Sequence, residues 1–371
     1  MMTRKDFLKQ AIVVSGGMSL LGLGADKISS SWASLDKSKA LYWKPIDEKS
    51  LQCQLCPRKC LITEKQRGFC GVRENSQGVL YTLVHSQAAA VHIDPIEKKP
   101  LFHFLPATTA FSLATAGCNL RCKFCQNWEI SQSKPEEVQP VFLSPQDIVK
   151  QAKESGSRTV AYTYTEPAIF YEYMLDTAAS ARSGGLKNIM HSAGFINEEP
   201  LRNLCKHLDA ANIDLKAFRQ KYYEDICFGN LENILQTLKI IKEEKVHLEL
   251  TNLVLPGLND SSEEIEEMCL WIRDNLGPDT PLHFSRFQPM YKLANLAPTP
   301  VATLEKAQII AKKSGLKYAY IGNVPGHQGE TTFCPKCSQA LLVRVGYSVT
   351  VNNLIDGHCK FCQEKIVGIW T

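Results

Sequence analysis

Residues 110–325 alternate between short apolar runs and longer stretches in which apolar residues recur at helical spacing. The runs that predict strands are 110–117, 159–167, 187–195, 210–218, 247–257, 281–290 and 318–324. The stretches that predict helices are 145–156, 168–183, 197–208, 221–245, 261–276 and 301–314. Strands that alternate with helices form parallel sheets, because each helix carries the chain back across the sheet. The pattern therefore predicts an α/β fold, either a doubly wound sheet or a full or partial barrel.

Cysteine is the residue type that changes this picture, since the 371-residue chain contains 14 of them. They fall mainly in three clusters, at positions 53/56/60/70, 118/122/125 and 334/337/359/362. Disulfide frameworks are typical of short secreted chains, whereas C-x-x-C spacing in a long chain favours metal thiolates. The remaining three, Cys205, Cys227 and Cys269, lie in helical patterns and are predicted to be small core residues.

The middle cluster has three thiols, and it follows the first predicted strand of the α/β segment. We name Cys118, Cys122 and Cys125 the loop cysteines. The carboxyl ends of parallel strands are where such folds place their ligand sites. A closed structural zinc site needs four ligands, whereas three thiolates on a four-iron cluster leave one iron open to another molecule. A zinc site completed by a distant ligand and a chance grouping of buried thiols are the alternatives.

The string "CNLRCKFC", with Phe124 at an aromatic position, resembles the signature of the radical S-adenosylmethionine (SAM) superfamily. The wider string "CKFCQNWEISQ" is similar to the AmmeMemoRadiSam system radical SAM enzymes, a branch that resembles pyruvate formate-lyase activating enzyme. The likeness covers roughly residues 50–345. It implies a [4Fe-4S] cluster on Cys118, Cys122 and Cys125, with SAM on the fourth iron. Reductive cleavage of SAM would then give a 5′-deoxyadenosyl radical that abstracts hydrogen from a substrate.

The same resemblance implies SAM-binding roles for three charged residues at strand ends, Glu166, Asp214 and Lys216. Glu166 in "YTYTEP" would meet the SAM amino group, although it could instead cap a helix. Asp214 and Lys216 in "IDLKAF" would lie near the ribose and carboxylate, or else form a structural ion pair. His283 and Arg286 could contact substrate, or could equally be a packed histidine and a surface arginine.

Two further cysteine sets flank the α/β segment. The N-terminal cysteine set is Cys53, Cys56, Cys60 and Cys70. Four thiolates within eighteen residues suit a closed structural site, for which zinc and an auxiliary cluster both fit. The C-terminal cysteine set is Cys334, Cys337, Cys359 and Cys362. Its two C-x2-C knuckles, with strand-like residues between them, resemble a zinc ribbon.

These features predict a partial (β/α)6 TIM-like barrel over 110–325, between small four-cysteine metal-binding modules at 46–109 and 326–371. Residues 1–33 resemble a signal peptide, and "TRKDFLK" resembles a twin-arginine motif with Lys5 at the second arginine. An amphipathic or disordered leader is the alternative. Its apolar run is too short for a spanning helix, so no stable membrane span is expected. The chemistry favours the cytoplasm, where SAM and low-potential electrons are found.

The predicted function is that of a radical SAM enzyme, with a reductant such as flavodoxin or ferredoxin as partner. The substrate would be a protein, as for a glycyl-radical activase, or a small molecule. A non-catalytic iron–sulfur or zinc protein for electron transfer or scaffolding is the alternative. A zinc-ribbon nucleic-acid binder is disfavoured because the net charge is only +4. Within the enzyme hypothesis, the sequence names neither the substrate nor the outcome of the reaction.

Overall fold

A computed structural model describes residues 37–371 of the chain, so the predicted leader at 1–33 lies outside the described residues. The main sheet has eight strands. They are Ala90–Pro95 (β1), Thr109–Ala114 (β2), Thr159–Tyr162 (β3), Lys187–Ser192 (β4), Ala210–Asp214 (β5), His247–Val254 (β6), Leu282–Arg286 (β7) and Ala319–Gly322 (β8). Every apolar run that predicts a strand overlaps one.

The strands of the main sheet lie side by side in chain order, from β1 at one edge to β8 at the other. Strands β2 to β8 are parallel, and β1 pairs antiparallel with β2. A doubly wound sheet reverses its strand order at a switch point, and this sheet does not. The α/β fold with a parallel sheet is therefore confirmed, while the partial barrel stays a prediction.

Helices connect the parallel strands. They are Pro145–Glu154 (α1), Tyr171–Ser183 (α2), Glu198–Cys205 (α3), Leu231–Glu243 (α4), Ser262–Leu276 (α5) and Val301–Lys313 (α6). Local sequence explains where they begin. The Ser144 hydroxyl accepts a hydrogen bond from the Asp147 N–H before α1, and Ser261 does the same for Glu264 before α5. Within residues 37–371, none of the helices has the length and apolar content needed to cross a membrane.

Smaller antiparallel sheets lie on either side of the main sheet in the chain. The N-terminal ones contain Ser38–Lys39, Trp43–Pro45, Ser50–Cys53, Leu61–Thr63, Arg73–Ser76 and Val79–Thr82, and the C-terminal ones contain Thr332–Phe333, Ala340–Val345, Ser348–Asn352, Leu354–Ile355 and His358–Cys359. A two-stranded pair joins Gln87–Ala88 to Val141–Phe142. All of these fall within one compact unit with the main sheet.

The amino-terminal part of the main sheet is fixed by a buried carboxylate, Glu249 on β6. Its oxygens accept hydrogen bonds from the N–H groups of Phe102 and His103, at 3.0 and 2.7 Å. The imidazoles of His247 and His283 lie 3.0 and 2.7 Å from the same carboxylate. His283 is 2% exposed and is therefore the packed core histidine of the two alternatives that the sequence left open.

Candidate active site

The loop cysteines lie directly beyond β2, at the carboxyl end of the parallel sheet, as the sequence predicts. The loop is held against a distant segment, because the N–H groups of Arg121 and Lys123 donate to the carbonyls of Cys227 and Ile226, at 3.0 and 2.9 Å. Cys122 is buried, while Cys118 and Cys125 are partly exposed. The backbone thus presents the three thiols from one short, well-anchored segment.

The thiols of the loop cysteines are not gathered tightly around one point. A tetrahedral zinc site holds its sulfurs about 3.8 Å apart, since Zn–S bonds are about 2.3 Å long. In the part of the chain that the structure describes, the loop cysteines form no group whose ligand atoms all lie within 4.8 Å of one another. This spacing does not fit one metal ion with a closed set of ligands, and a group of several metal ions fits it better.

Cys227 lies beside the loop cysteines, a position that the sequence pattern did not indicate. It ends the π-helical turn Tyr223–Cys227 and is fully buried, as predicted for a core residue. Its thiol hydrogen bond and the Lys216 ammonium lower the pKa of Cys122, although burial acts in the opposite direction. No spacing rule connects Cys227 to the loop cysteines, because the contact depends on a turn about a hundred residues later.

Glu166 occupies the end of β3 and faces the same edge of the sheet. Its carboxylate accepts hydrogen bonds from the Ser192 hydroxyl at 2.6 Å and from the Ala193 N–H at 2.8 Å. It also accepts one from the Ala168 N–H at 3.2 Å, which caps the short helix that follows. Burial raises the pKa of Glu166, and these donors oppose the rise. The capping contact is therefore present, and it leaves carboxylate lone pairs for another donor.

The Glu166 turn is tied to the loop cysteines. The side-chain amide of Asn127 donates to the Tyr164 carbonyl at 2.7 Å, and the Thr165 hydroxyl donates to the Thr115 carbonyl at 3.0 Å. Burial raises the pKa of Cys118 and the negative charge of Glu166 raises it further, so the two groups lie close enough to interact.

Asp214 and Lys216 form an ion pair at the end of β5, with Nζ 2.7 Å from the carboxylate. His191, from the neighbouring strand β4, lies 3.0 Å from the other oxygen of Asp214. The Lys216 ammonium also lies 5.6 Å from the ring centroid of Phe124. In the sequence, Phe124 stands between Cys122 and Cys125, two of the loop cysteines. The ion pair that the sequence offered as a structural alternative is thus present, and it borders the thiols. The role of His191 could not be read from the sequence.

The other two cysteine sets differ from each other. In the C-terminal set, all four ligand atoms lie within 4.8 Å of one another, and the Cys334–Cys362 and Cys337–Cys359 sulfur pairs are 3.6 and 3.7 Å apart. The four cysteines of the N-terminal set instead line a cavity. Among the described residues, the N-terminal set forms no group as tight as the C-terminal one.

The fold and the thiol loop at its functional edge define the class of protein to which the chain is similar. The model of the radical SAM superfamily matches residues 112–272. An uncharacterized protein of Methanocaldococcus jannaschii is 46% identical over 330 residues, which cover 88% of this chain and 98% of that protein. The chain belongs to the radical SAM superfamily, which confirms the resemblance read from "CNLRCKFC".

The chain also shows more distant similarities. The pyruvate formate-lyase-activating enzyme of Staphylococcus epidermidis is 22% identical over 228 residues, which cover 58% of this chain and 90% of that enzyme. A crystal structure of Streptococcus suis SuiB bound to S-adenosylmethionine covers 62% of this chain and 53% of its own, at 13% identity and a TM-score of 0.45. Superfamily membership supports SAM-dependent radical chemistry and implies a [4Fe-4S] cluster and SAM as cofactors.

Proposed function

We propose that this chain is a radical SAM enzyme whose cluster is held by Cys118, Cys122 and Cys125. The observation that carries the proposal is the convergence of three thiols, a carboxylate and an ion pair at one edge of the parallel sheet. The spread of the thiols suits a four-iron cluster better than a single ion. When bound, the cluster and SAM would supply a 5′-deoxyadenosyl radical that abstracts hydrogen from a substrate.

The charged residues of the site have complementary tasks in this proposal. Glu166 accepts the SAM ammonium, because a buried carboxylate is a strong partner for a cation. Lys216 binds the SAM carboxylate, and Asp214 accepts from the ribose hydroxyls while it holds Lys216 in place. His191 orients Asp214 from the neighbouring strand. Glu166 and Lys216 are 2% and 8% exposed, and this burial strengthens their charged contacts.

The partial barrel that we predict would place this edge around a central substrate space. We propose either a partner protein as substrate, as the likeness to pyruvate formate-lyase-activating enzymes suggests, or the small-molecule or protein substrate of an enzyme of the AmmeMemoRadiSam group. A one-electron donor such as flavodoxin or ferredoxin would serve as partner. We further propose zinc for the C-terminal set, since its sulfur separations of 3.6 and 3.7 Å match the value of about 3.8 Å for a tetrahedral site.

The decisive experiment is anaerobic SAM cleavage with dithionite as reductant. We expect the reconstituted full-length protein to release 5′-deoxyadenosine and Cys125→Ala to release none. Cys205→Ala is the matched control, because it removes a buried thiol that lies in none of the three cysteine sets. A protein with a full cluster that never cleaves SAM and binds none by calorimetry would establish the non-catalytic alternative instead.

The role of Glu166 is testable by calorimetry with SAM. Glu166→Gln keeps the size and the capping acceptor but removes the charge, so SAM affinity should fall about tenfold or more. Glu330→Gln is the control, since Glu330 is also a buried carboxylate that accepts a backbone N–H, from Gly346 at 3.0 Å. Equal SAM affinity in the two variants would contradict the proposed contact with the SAM ammonium.

A further inference from the structure

The N-terminal cysteine set lines a cavity of about 20 Å³, to which all four of its cysteines contribute. Leu55, Ile62 and Ile169 supply apolar walls, and Arg58 and Arg73 supply cationic ones. A void of this size holds at least one water-sized sphere. Sulfurs closed on one zinc ion leave no such space between them, because neighbouring sulfurs then touch. The cavity beside these four cysteines is therefore larger than the space between ligands closed on one ion.

The other two cysteine sets of the chain provide reference geometries for the N-terminal set. The C-terminal set has its ligand atoms within 4.8 Å of one another, as one tetrahedral ion requires. The loop cysteines, which belong to the radical SAM signature, do not close in this way in the described part of the chain. The N-terminal set behaves like the loop cysteines and unlike the C-terminal set. In this respect the N-terminal set fits a metal group larger than one ion.

The surroundings of the N-terminal set are suited to a buried anionic group. Four thiolates leave a net negative charge after either metal is added, and two arginines line the cavity. Arg73 is 1% exposed and is already paired with the Glu172 carboxylate at 3.0 Å, so Arg58 is the lining residue that supplies positive charge to an anionic group. The N–H of Phe69 donates to the Cys60 sulfur at 3.4 Å. Hydrogen bonds to cysteine sulfurs are one of the means by which proteins tune iron–sulfur potentials.

The cavity adjoins the loop cysteines directly. Asn119, the residue after Cys118, is one of its lining residues. The Arg58 guanidinium, between two cysteines of the N-terminal set, donates to the Asn119 carbonyl at 2.6 Å. In the other direction, Arg121 donates to the Phe69 carbonyl at 2.6 Å, next to Cys70. The two cysteine segments are thus bonded to each other through both arginines.

A glycine makes this close approach possible. Gly117, directly before Cys118, has φ of +90°, and a Cβ built there would lie 2.6 Å from the Cys70 carbonyl oxygen. No other residue type fits at this point without moving one segment away from the other. The loop cysteines and the N-terminal set are therefore packed backbone against backbone.

We propose that Cys53, Cys56, Cys60 and Cys70 hold a second four-iron cluster that passes electrons to the cluster on the loop cysteines. One electron leaves a reduced protein donor and converts the N-terminal cluster from its oxidised to its reduced state. The same electron then moves to the neighbouring cluster, which restores the oxidised N-terminal cluster, and no covalent bond changes. The assignment of a second cluster depends only on the geometry of the N-terminal set. The electron relay rests on the proposed function as well.

Metal analysis of the full-length protein, purified without oxygen, tests the assignment. We expect about eight irons per chain, four in each cluster, with matching sulfide. Cys118→Ala/Cys122→Ala/Cys125→Ala should retain about four irons with a paramagnetic signal that SAM does not alter. Cys56→Ala/Cys60→Ala should also retain about four, with a signal that SAM does alter. About four irons in the wild type, together with a second zinc per chain, would overturn the assignment.

The relay is tested by comparing two reductants in Cys56→Ala/Cys60→Ala. Relative to the wild type, we expect 5′-deoxyadenosine release driven by reduced flavodoxin to fall at least tenfold further than release driven by dithionite. Equal losses with both reductants, or no loss with either, would overturn the relay. Retention of the SAM-sensitive signal shows that the variant is folded at the loop cysteines. If the wild type binds about eight irons but never cleaves SAM, the proposed function fails and the second cluster stands.

Discussion

The N-terminal and C-terminal cysteine sets have the same number of thiols and opposite geometries. In the C-terminal set, two knuckles bring four sulfurs within 4.8 Å of one another. In the N-terminal set, the four cysteines line a cavity that is also lined by arginine and asparagine residues. The first geometry fits a single tetrahedral ion, and the second fits a larger group. Ligand number alone therefore does not identify the metal.

The two sets also differ in what they contact. The C-terminal set packs with Phe102, Tyr318 and Tyr320 in its own hydrophobic cluster, on the side of the sheet that Glu249 fixes. The N-terminal set is hydrogen-bonded to the segment of the loop cysteines. A structural site needs only to be stable, whereas an electron-transfer site needs to be near its acceptor. Substitutions that remove one of these requirements at a time should therefore affect the two sets differently.

The largest effect is expected from removing a ligand of the C-terminal set. Cys359→Ala should lose its zinc, about one ion per chain, and destabilise residues 332–362 by several kcal/mol, because structural zinc supplies folding free energy. Elemental analysis and amide hydrogen exchange in Ala340–Val345 measure the two effects. Cys205→Ala, another buried thiol, is the control and should change neither. A loss of iron in Cys359→Ala would contradict the assignment of zinc to the C-terminal set and of iron to the N-terminal set.

A smaller but substantial effect is expected where the loop cysteines approach the N-terminal set. Gly117→Ala adds a Cβ 2.6 Å from the Cys70 carbonyl oxygen, so the segments must separate. We expect about 2–4 kcal/mol of lost stability, from backbone strain and repacking, and lower iron content. Denaturant unfolding and iron analysis measure both.

Gly257→Ala is the matched control for this substitution. Gly257 also has a positive φ, of +72°, but a Cβ there would meet nothing within 4 Å. It should therefore show the backbone strain alone, about 1 kcal/mol, and normal iron content. Similar iron content in the two glycine variants would show that the close approach does not support metal binding.

Much of the fold could be predicted because parallel strands are buried on both faces and read as continuous apolar runs. All four residues of β3 are buried, for example. The position of Glu166 could be predicted from the same pattern, since it follows that strand. What the sequence could not give is the distance between side chains from separate segments. The closure of the C-terminal set and the spread of the N-terminal set are properties of that kind.

The same limit explains why two residues of the site could not be predicted from the sequence. His191 reaches Asp214 because β4 and β5 are neighbours, and strand order is not written in a single sequence. Cys227 reaches the loop cysteines through a π-helical turn that no local pattern announces. The alternatives offered for Glu166 and for Asp214 with Lys216 could not be separated either, because capping and ion pairing are compatible with ligand binding.

Arg58→Ala should have a moderate effect that is confined to the N-terminal cysteine set and leaves the C-terminal set unchanged. The guanidinium bonds the carbonyls of Asn119 and Phe228 and stacks 3.5 Å from the ring centroid of Phe69. Its loss should cost about 1–3 kcal/mol and slow flavodoxin-driven more than dithionite-driven SAM cleavage. Lys59→Ala, at an exposed neighbour, is the control. An equal slowing with both reductants would assign Arg58 to stability alone.

The smallest effect is expected at Cys227. Its substitution tests whether the cluster at the loop cysteines has three cysteine ligands or four. If SAM completes the cluster, Cys227 is a packing neighbour of Cys122, and Cys227→Ala should cost only about 1 kcal/mol for the lost sulfur. Iron content should stay constant, and SAM cleavage should stay within about twofold, with Cys205→Ala as control. Iron content that falls by half would make Cys227 a ligand. The site would then be closed like the outer sets, and SAM would have no iron to bind.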